Sequence, residues 1–237
     1  MDALARLVLK RASAAIEERG IFTLALSGGS LPRLLSAIAS PEFTNSLCQL
    51  DKWHVFFADE RCVALDHPDS NYLACKTALF DRLPNLKPSQ IHSIDTKLVN
   101  DPDAAANAYQ RVLQTVVGSM VLDVVLLGMG PDGHTCSLFP NHALLSETER
   151  WVAHITDSPK PPSNRITLTL PVVNSARFVA FVCTGKAKAQ VIHDIMDSKS
   201  TEYPSALVNP TNGELVWLLD QPAASLLLLQ PSNQVKL

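Results

Sequence analysis

Residues 122–140 read LDVVLLGMGPDGHTCSLFP, and this stretch decides the fold. Its first part is a short apolar run, rich in branched side chains, that ends at Gly128. Such a run is typical of a strand that helices cover on both faces in an α/β sheet. Ligands of these sheets bind beyond the carboxyl ends of the strands, so we predict an active-site loop after residue 127. Asp132 and His134 lie in that loop, and an imidazole can accept a proton from water near neutral pH.

The same loop also fits the glycine spacing of a dinucleotide-binding fingerprint. Gly128, Gly130 and Gly133 satisfy G-x-G-x-x-G after a predicted strand. A Rossmann loop needs a full helix directly afterwards, with its N-terminus on the pyrophosphate, and Pro140 would stop such a helix after about two turns. The sequence therefore disfavours a dinucleotide site.

Strands and helices alternate outward from this stretch in both directions. The other predicted strands are Ile21–Leu26, Trp53–Ala58, a short one near Ile91, Trp151–Ile155, Ile166–Leu170, Phe178–Thr184 and Leu215–Leu218. The predicted helices are a first one closed by Gly20, then Leu31–Ala39, Tyr72–Asp81, Asp103–Val117, Lys186–Asp197 and Pro222–Leu229, with a long polar loop over 59–71. The alternation predicts an α/β fold with a mainly parallel sheet, flanked by helices on both faces in a Rossmann-like arrangement. No composition shift marks a linker, so we expect a single domain over residues 1–237.

Composition excludes several classes of partner. The chain has 237 residues, with 20 basic and 23 acidic side chains and a formal charge of −3, which does not favour a nucleic-acid or membrane-surface partner. Its longest apolar runs, such as Leu226–Leu229, are far shorter than the ~20 residues of a membrane-spanning helix. The five cysteines show neither a disulfide framework nor a C-x-x-C pair, and the histidines lack metal-site spacing. We therefore expect a cytoplasmic protein without a metal.

Four small residues between the first predicted strand and the following helix form a candidate anion site. Ser27, Gly28, Gly29 and Ser30 supply two hydroxyls and two glycines where the free N–H groups of a helix start would favour a phosphate. The four residues are equally compatible with a tight glycine turn and a serine cap. They do not form a Walker loop, because no Gly-Lys-Ser/Thr follows.

Three basic residues at element boundaries allow two interpretations each. Arg61 follows the acidic pair after the strand at 53–58, Arg165 precedes the strand at 166–170, and Lys188 opens a helix. Each could reach the same crevice and bind phosphate oxygens. Each could also be a solvated surface charge, which is the commoner role of such residues.

Taken together, these segments resemble the 6-phosphogluconolactonase family. The matching segments run almost end to end: LSGGS (26–30), FADER (57–61), DHPDSNY (66–72), LLGMGPDGHTCSLFP (126–140), SPKPPSNRITLTLP (158–171), G-x-x-K-A (185–189), PSALV (204–208) and NGELVWLLD (212–220). The segments near residue 158 and at the C-terminal end suggest a eukaryotic-type member. The resemblance implies the fold of the sugar-phosphate isomerases and deaminases, no metal or organic cofactor, and a small-molecule substrate. The implied reaction is hydrolysis of 6-phospho-D-glucono-1,5-lactone to 6-phosphogluconate, the second step of the oxidative pentose phosphate pathway, by a monomer.

The resemblance also implies roles for individual residues. His134 matches the proposed general base, and Asp132 would orient or polarise it. The residues that match positions lining the sugar-phosphate crevice are Ser27, Gly28, Gly29, Ser30, Arg61, Arg165 and Lys188. Lys186 does not match, because the spacing from Gly185 selects Lys188.

Two other functions stay open from the sequence. One is an aldose–ketose isomerase or amino-sugar phosphate deaminase of the same fold, whose deaminase motif continues through Asn-Glu-Pro after the histidine. Residues 135–140 here contain no acid, which disfavours the deaminase. The other is a catalytically silent sugar-phosphate sensor, which the presence of both Asp132 and His134 disfavours.

Overall fold

The computed structural model describes residues 2–44, 49–228 and 234–236. Their strands are β1 (Phe22–Leu26), β2 (Trp53–Phe57), β3 (Asp59–Arg61), β4 (Val124–Leu127), β5 (Val152–Ile155), β6 (Arg165–Leu168), β7 (Phe178–Cys183), β8 (Glu214–Leu219) and β9 (Gln234–Lys236). Their α-helices are α1 (Asp2–Arg19), α2 (Leu31–Leu35), α3 (Pro41–Thr44), α4 (Asn71–Ala78), α5 (Pro102–Val117), α6 (Leu170–Ser175) and α7 (Ala189–Met196). Short 3₁₀ turns join several of these elements.

Six strands form one parallel sheet, in the order β2-β1-β4-β7-β8-β9. The strand predicted from the opening stretch, β4, lies inside this sheet, with Leu24 of β1 opposite Val124 and Val179 of β7 opposite Val125. The mainly parallel α/β sheet predicted from the sequence is therefore confirmed.

Helices cover both faces of the sheet, as predicted. Val124 and Leu126 of β4 face one core, which α1 supplies with apolar side chains, while Val125 and Leu127 face a second core that contains α5. Successive strand side chains point to opposite faces, and all four β4 residues are fully buried. The apolar run therefore encodes a strand between two layers of helices.

A second, smaller sheet corrects one expectation. Residues 59–61, expected in a long polar loop, form β3, which pairs antiparallel with β6, and β6 pairs with β5. The sequence Asp-Glu-Arg shows no strand pattern. Its pairing depends on backbone groups, and the partner strand lies about a hundred residues later in the chain. The pairing sets Arg61 directly opposite Arg165.

Two further predictions were wrong. The strand near Ile91 is a single parallel bridge to Val55. The helix predicted over 222–229 is a series of turns at 221–226, where the carboxylate of Asp220 accepts the N–H groups of Ala223 and Gly185, and Leu229 lies outside the described residues. Asp220 thus caps a first turn that is not continued as a helix, and its bond to the N–H of Gly185 ties that turn to the end of β7.

The cysteines are thiols wherever the structure describes them. Cys75, Cys136 and Cys183 are buried and Cys62 is half-buried, and none of the four is paired. Cys48 lies outside the described residues. Within the described ranges, no helix is long and apolar enough to cross a membrane.

Candidate active site

A cavity of about 240 Å³ opens at the carboxyl ends of β1, β4 and β7. It collects residues from five parts of the chain that are distant in sequence. Every site residue predicted from the sequence lines this cavity except Asp132, namely Ser27, Gly28, Gly29, Ser30, Arg61, His134, Arg165 and Lys188. The two sheets meet here, because Arg61 and Arg165 come from β3 and β6.

The loop after β4 presents His134 to the cavity. The N–H of Gly133 donates to the carbonyl of Gly130 at 3.0 Å, and Gly133 has a φ of +77°, which glycine adopts without strain. The Thr135 hydroxyl donates to the carbonyl of Gly128 at 2.9 Å and ties the loop back to its start. The imidazole stacks on the Phe139 ring, with a centroid distance of 4.8 Å. Glycine turns and one ring contact thus fix the histidine.

Asp132 and His134 form a hydrogen-bonded dyad. Oδ1 of Asp132 lies 2.5 Å from Nδ1 of His134, and the Lys160 ammonium lies 3.1 Å from each of these two atoms. A carboxylate beside a cation is an acceptor, so Nδ1 carries the hydrogen and donates it. The other ring nitrogen, Nε2, is then left with a free lone pair.

The electrostatics of the dyad keep the base neutral and the acid ionised. Burial lowers the pKa of His134 below its usual 6.5 and outweighs the opposing effect of Asp132. Burial alone would raise the pKa of Asp132, but the hydrogen bonds and charges of His134 and Lys160 lower it to about 2. At neutral pH the site therefore holds a carboxylate and an uncharged imidazole.

Arg61 and Lys188 bring positive charge to the other end of the cavity. Nη1 of Arg61 donates to the carbonyl of Asp69 at 2.6 Å, and the Lys188 ammonium donates to the carbonyl of Met129. Within the described part of the chain, the buried Nε of Arg61 and the buried hydroxyl of Ser27 have no hydrogen-bond partner. Open donors beside two cations suit an anion with several oxygens.

Arg165 lines the cavity, but its guanidinium is already engaged by the protein. The side chain is only 3% exposed. Its Nη2 donates to the carbonyl of Lys160 at 2.7 Å, its Nε donates to the carbonyl of Pro162 at 2.9 Å, and its Nη1 lies 3.3 Å from the Ser137 hydroxyl. Arg165 therefore holds the loop that carries Lys160, in addition to facing the cavity.

Three residues to which the sequence analysis gave no role belong to this site. Lys160 contacts the dyad, while Asp59 and Asn71 line the cavity, with the Asn71 amide donating to the carbonyl of Asp59 at 2.8 Å. The hydroxyl of Ser137 donates to the Asp59 carboxylate at 2.7 Å. All three lie in segments that carry the family resemblance, which is the signal that could have identified them. Among the described residues, no cluster of three or more histidine, cysteine or acidic side chains could hold a metal.

Comparisons with known proteins agree on the class of enzyme. Residues 1–217 match a family model described as glucosamine-6-phosphate isomerases/6-phosphogluconolactonase. The chain is 46% identical over 233 residues to the 6-phosphogluconolactonase of Homo sapiens, covering 95% of this chain and 88% of that protein. It is 43% identical over 234 residues to a probable 6-phosphogluconolactonase of Schizosaccharomyces pombe, covering 94% and 90%.

Solved structures show the same fold. The 6-phosphogluconolactonase of Trypanosoma cruzi superposes with a TM-score of 0.85 at 29% identity, covering 96% of this chain and 92% of that chain. The enzyme of the same name from Thermotoga maritima gives a TM-score of 0.78 at 26% identity, with 92% and 94% covered. Each superposition covers more than nine-tenths of this chain.

Proposed function

The chain belongs to the glucosamine-6-phosphate isomerase/6-phosphogluconolactonase family, and we propose that it hydrolyses 6-phospho-D-glucono-1,5-lactone to 6-phospho-D-gluconate. This reaction is the second step of the oxidative pentose phosphate pathway. The observation that carries the proposal is the dyad of Asp132 and His134 in a cavity that also holds Arg61 and Lys188. The base suits the lactone carbonyl of this substrate, and the phosphate site suits its phosphate group.

His134 acts as the general base. Its Nδ1 hydrogen is donated to Asp132, so Nε2 can take a proton from a water molecule while the water oxygen adds to the lactone carbonyl carbon. The carbonyl becomes an oxyanion, the bond to the ring oxygen then breaks, and the ring oxygen takes up a proton to become a hydroxyl. The product acid ionises and releases one proton. A lactone is an activated ester, so base catalysis and positioning suffice for this chemistry.

The phosphate end of the substrate serves as a handle. We assign it to the SGGS loop (residues 27–30), Arg61 and Lys188, where the hydroxyl of Ser27 and Nε of Arg61 have open hydrogen-bonding capacity. Binding energy gained at this end orients the distant carbonyl towards His134. Arg165 holds the loop at Lys160 by a hydrogen bond to its carbonyl, and it adds positive charge to the cavity lining.

The test is acid release from freshly generated 6-phosphogluconolactone in weakly buffered solution. Fast ring opening confined to the phosphorylated lactone, and absent with unphosphorylated gluconolactone, supports the proposal. A rate equal to spontaneous hydrolysis would discard lactonase activity, and isomerase, deaminase and ligand-binding assays would then distinguish the remaining functions. The His134→Ala variant is the matched control, because it keeps the phosphate site and removes the base.

We also propose that the protein acts as a single-domain monomer in the cytoplasm. Scattered cysteines that remain thiols at 62, 75, 136 and 183 fit a reducing compartment. Sedimentation or light scattering at assay concentration, with fractionation of the source cells, tests both parts of this proposal.

A further inference from the structure

We infer that Lys160 is a positioning residue for the general base, because its ammonium holds the Asp132 carboxylate against His134 and favours the neutral imidazole. The inference deepens the proposed hydrolysis and rests on it. Three observations support this role for Lys160: its contacts, the way its loop is held, and the charges around His134.

The three groups form a small triangle. The Lys160 ammonium lies 3.1 Å from Oδ1 of Asp132 and 3.1 Å from Nδ1 of His134, and these two atoms are 2.5 Å apart. Nδ1 donates its hydrogen to the carboxylate, so it has no lone pair for the ammonium, which acts on the ring through its charge. Nε2 lies on the far side of the ring from Nδ1. Lys160 therefore influences the base without occupying the place of the attacking water.

The backbone around Lys160 is fixed by the side chains of Ser158, in the same loop, and Arg165, on β6. The hydroxyl of Ser158 donates to the carbonyl of Lys160 at 2.8 Å, and Nη2 of Arg165 donates to the same oxygen at 2.7 Å. Nε of Arg165 also donates to the carbonyl of Pro162 at 2.9 Å. Arg165 begins β6 and is almost fully buried, so the loop is anchored to the small sheet. These bonds hold the loop in the position that places Lys160 beside the dyad.

Charges of both signs face His134. Asp132 in its own loop and Asp59 on β3 stabilise the protonated imidazolium, whereas Lys160 opposes it. Arg61 and Lys188 line the same cavity and add positive charge. Asp132 is needed to orient the ring, but its charge alone would favour a protonated histidine, which cannot act as a base. Lys160 offsets that effect while strengthening the ionised state of the carboxylate.

The experiment compares Lys160→Met, Lys160→Arg and Lys186→Met with the unmodified enzyme. The pKa of His134 is measured by NMR on histidine-labelled free enzyme, with the His134→Asn spectrum used for assignment, and kcat is measured against pH. We expect Lys160→Met to raise the pKa of His134 by about one unit, which moves the acidic limb of kcat to higher pH. Below both pKa values, kcat should then fall about tenfold, while the loss at high pH is smaller.

The other two variants separate charge from packing. Lys160→Arg keeps a cation at this place and should restore most of the pH profile. Lys186→Met removes an exposed lysine outside the cavity lining and should leave the profile unchanged. An unaltered pKa in Lys160→Met, or a loss of kcat that is equal at every pH, would overturn the inference. Because the titration needs no turnover, it tests the inference separately from the lactonase assay.

Discussion

The backbone N–H of Gly130 donates a hydrogen bond to the carbonyl oxygen of His134 at 2.9 Å, which closes the active-site loop around the imidazole. The side chain of His134 folds back over the same glycine. A Cβ atom on Gly130 would lie 2.1 Å from Nδ1 of His134 and 2.4 Å from Oδ1 of Asp132. The absence of a side chain at Gly130 is therefore a condition for the dyad.

Gly130→Ala should displace the dyad and lower kcat by roughly 10²-fold or more, within the range that general bases contribute. The added methyl group overlaps the two atoms that form the hydrogen bond, so one of the side chains must move. The comparison variant is Gly128→Ala, because a Cβ there lines the same cavity but would meet no protein atom within 4 Å. Steady-state kinetics on both variants and on the unmodified enzyme give the comparison. A kcat for Gly130→Ala equal to that of the unmodified enzyme would show that the glycine is not required for the dyad.

His134→Ala should lower kcat by roughly 10²–10⁴-fold and change KM little, since the base is lost and the phosphate site stays intact. In the unmodified enzyme, the neutral imidazole is the active form. Burial lowers the pKa of His134, so activity should be retained as the pH falls to 6.5 and should be lost only below that value. A pH profile of kcat with initial rates of acid release measures this limb. An acidic limb above 6.5 would contradict the assignment of the base.

Lys188→Met should raise KM for the phosphorylated lactone by roughly tenfold or more, because a cation beside the phosphate is removed. Lys186→Met is the matched control: Lys186 is exposed, does not line the cavity, and lies two residues away. If both lysine variants kept the KM of the unmodified enzyme, Lys188 would lose its role in phosphate binding.

Glu60→Gln should destabilise the fold by about 3 kcal/mol, because it replaces one of two buried acceptor oxygens with an NH2 group that faces hydrogen-bond donors. Oε1 of Glu60 accepts the N–H groups of Arg61 and Asn71 at 2.8 Å each, and Oε2 accepts the N–H of Tyr72 at 2.8 Å and the Ser70 hydroxyl at 3.2 Å. These bonds join β3 to the start of α4.

Urea unfolding of Glu60→Gln measures the loss, with the exposed Glu149→Gln as control, which should change stability by less than about 0.5 kcal/mol. If the free energy of unfolding fell equally little in both variants, Glu60 would not be the link between the strand and the helix.

The sequence predicted those parts of the fold that local pattern determines. β4 was recognisable because its apolar residues are bounded by glycine, and the SGGS loop because it places two serines and two glycines between a predicted strand and a predicted helix. β3 was missed because its three charged residues look like a loop, and only pairing with β6 reveals them as a strand. The turns after Asp220 resemble the start of a helix in the sequence, since Asp220 caps them as it would cap a helix.

The same distinction applies to the active site. His134 and Asp132 are two residues apart, so their partnership is visible in the sequence. Lys160 reaches them from 26 residues beyond His134, through a loop that Arg165 holds, and no spacing rule predicts such a contact. Arg165 likewise looked like a phosphate ligand, while the structure adds its bonds to the backbone of the lysine's loop. Roles that depend on contacts between distant segments could be assigned only from the structure.

The four cysteines that the structure describes are held as protonated thiols. Burial raises the pKa of each, to about 11 for Cys62 and about 12 for Cys183, so almost none exists as thiolate near neutral pH. The thiolate is the form that electrophiles and peroxides attack. Cys136 lines the cavity, but burial keeps it as the thiol, so an oxidant that entered with the substrate would meet no thiolate there. At these four positions the protein therefore holds its sulfur in the form that reacts slowly with electrophiles and peroxides.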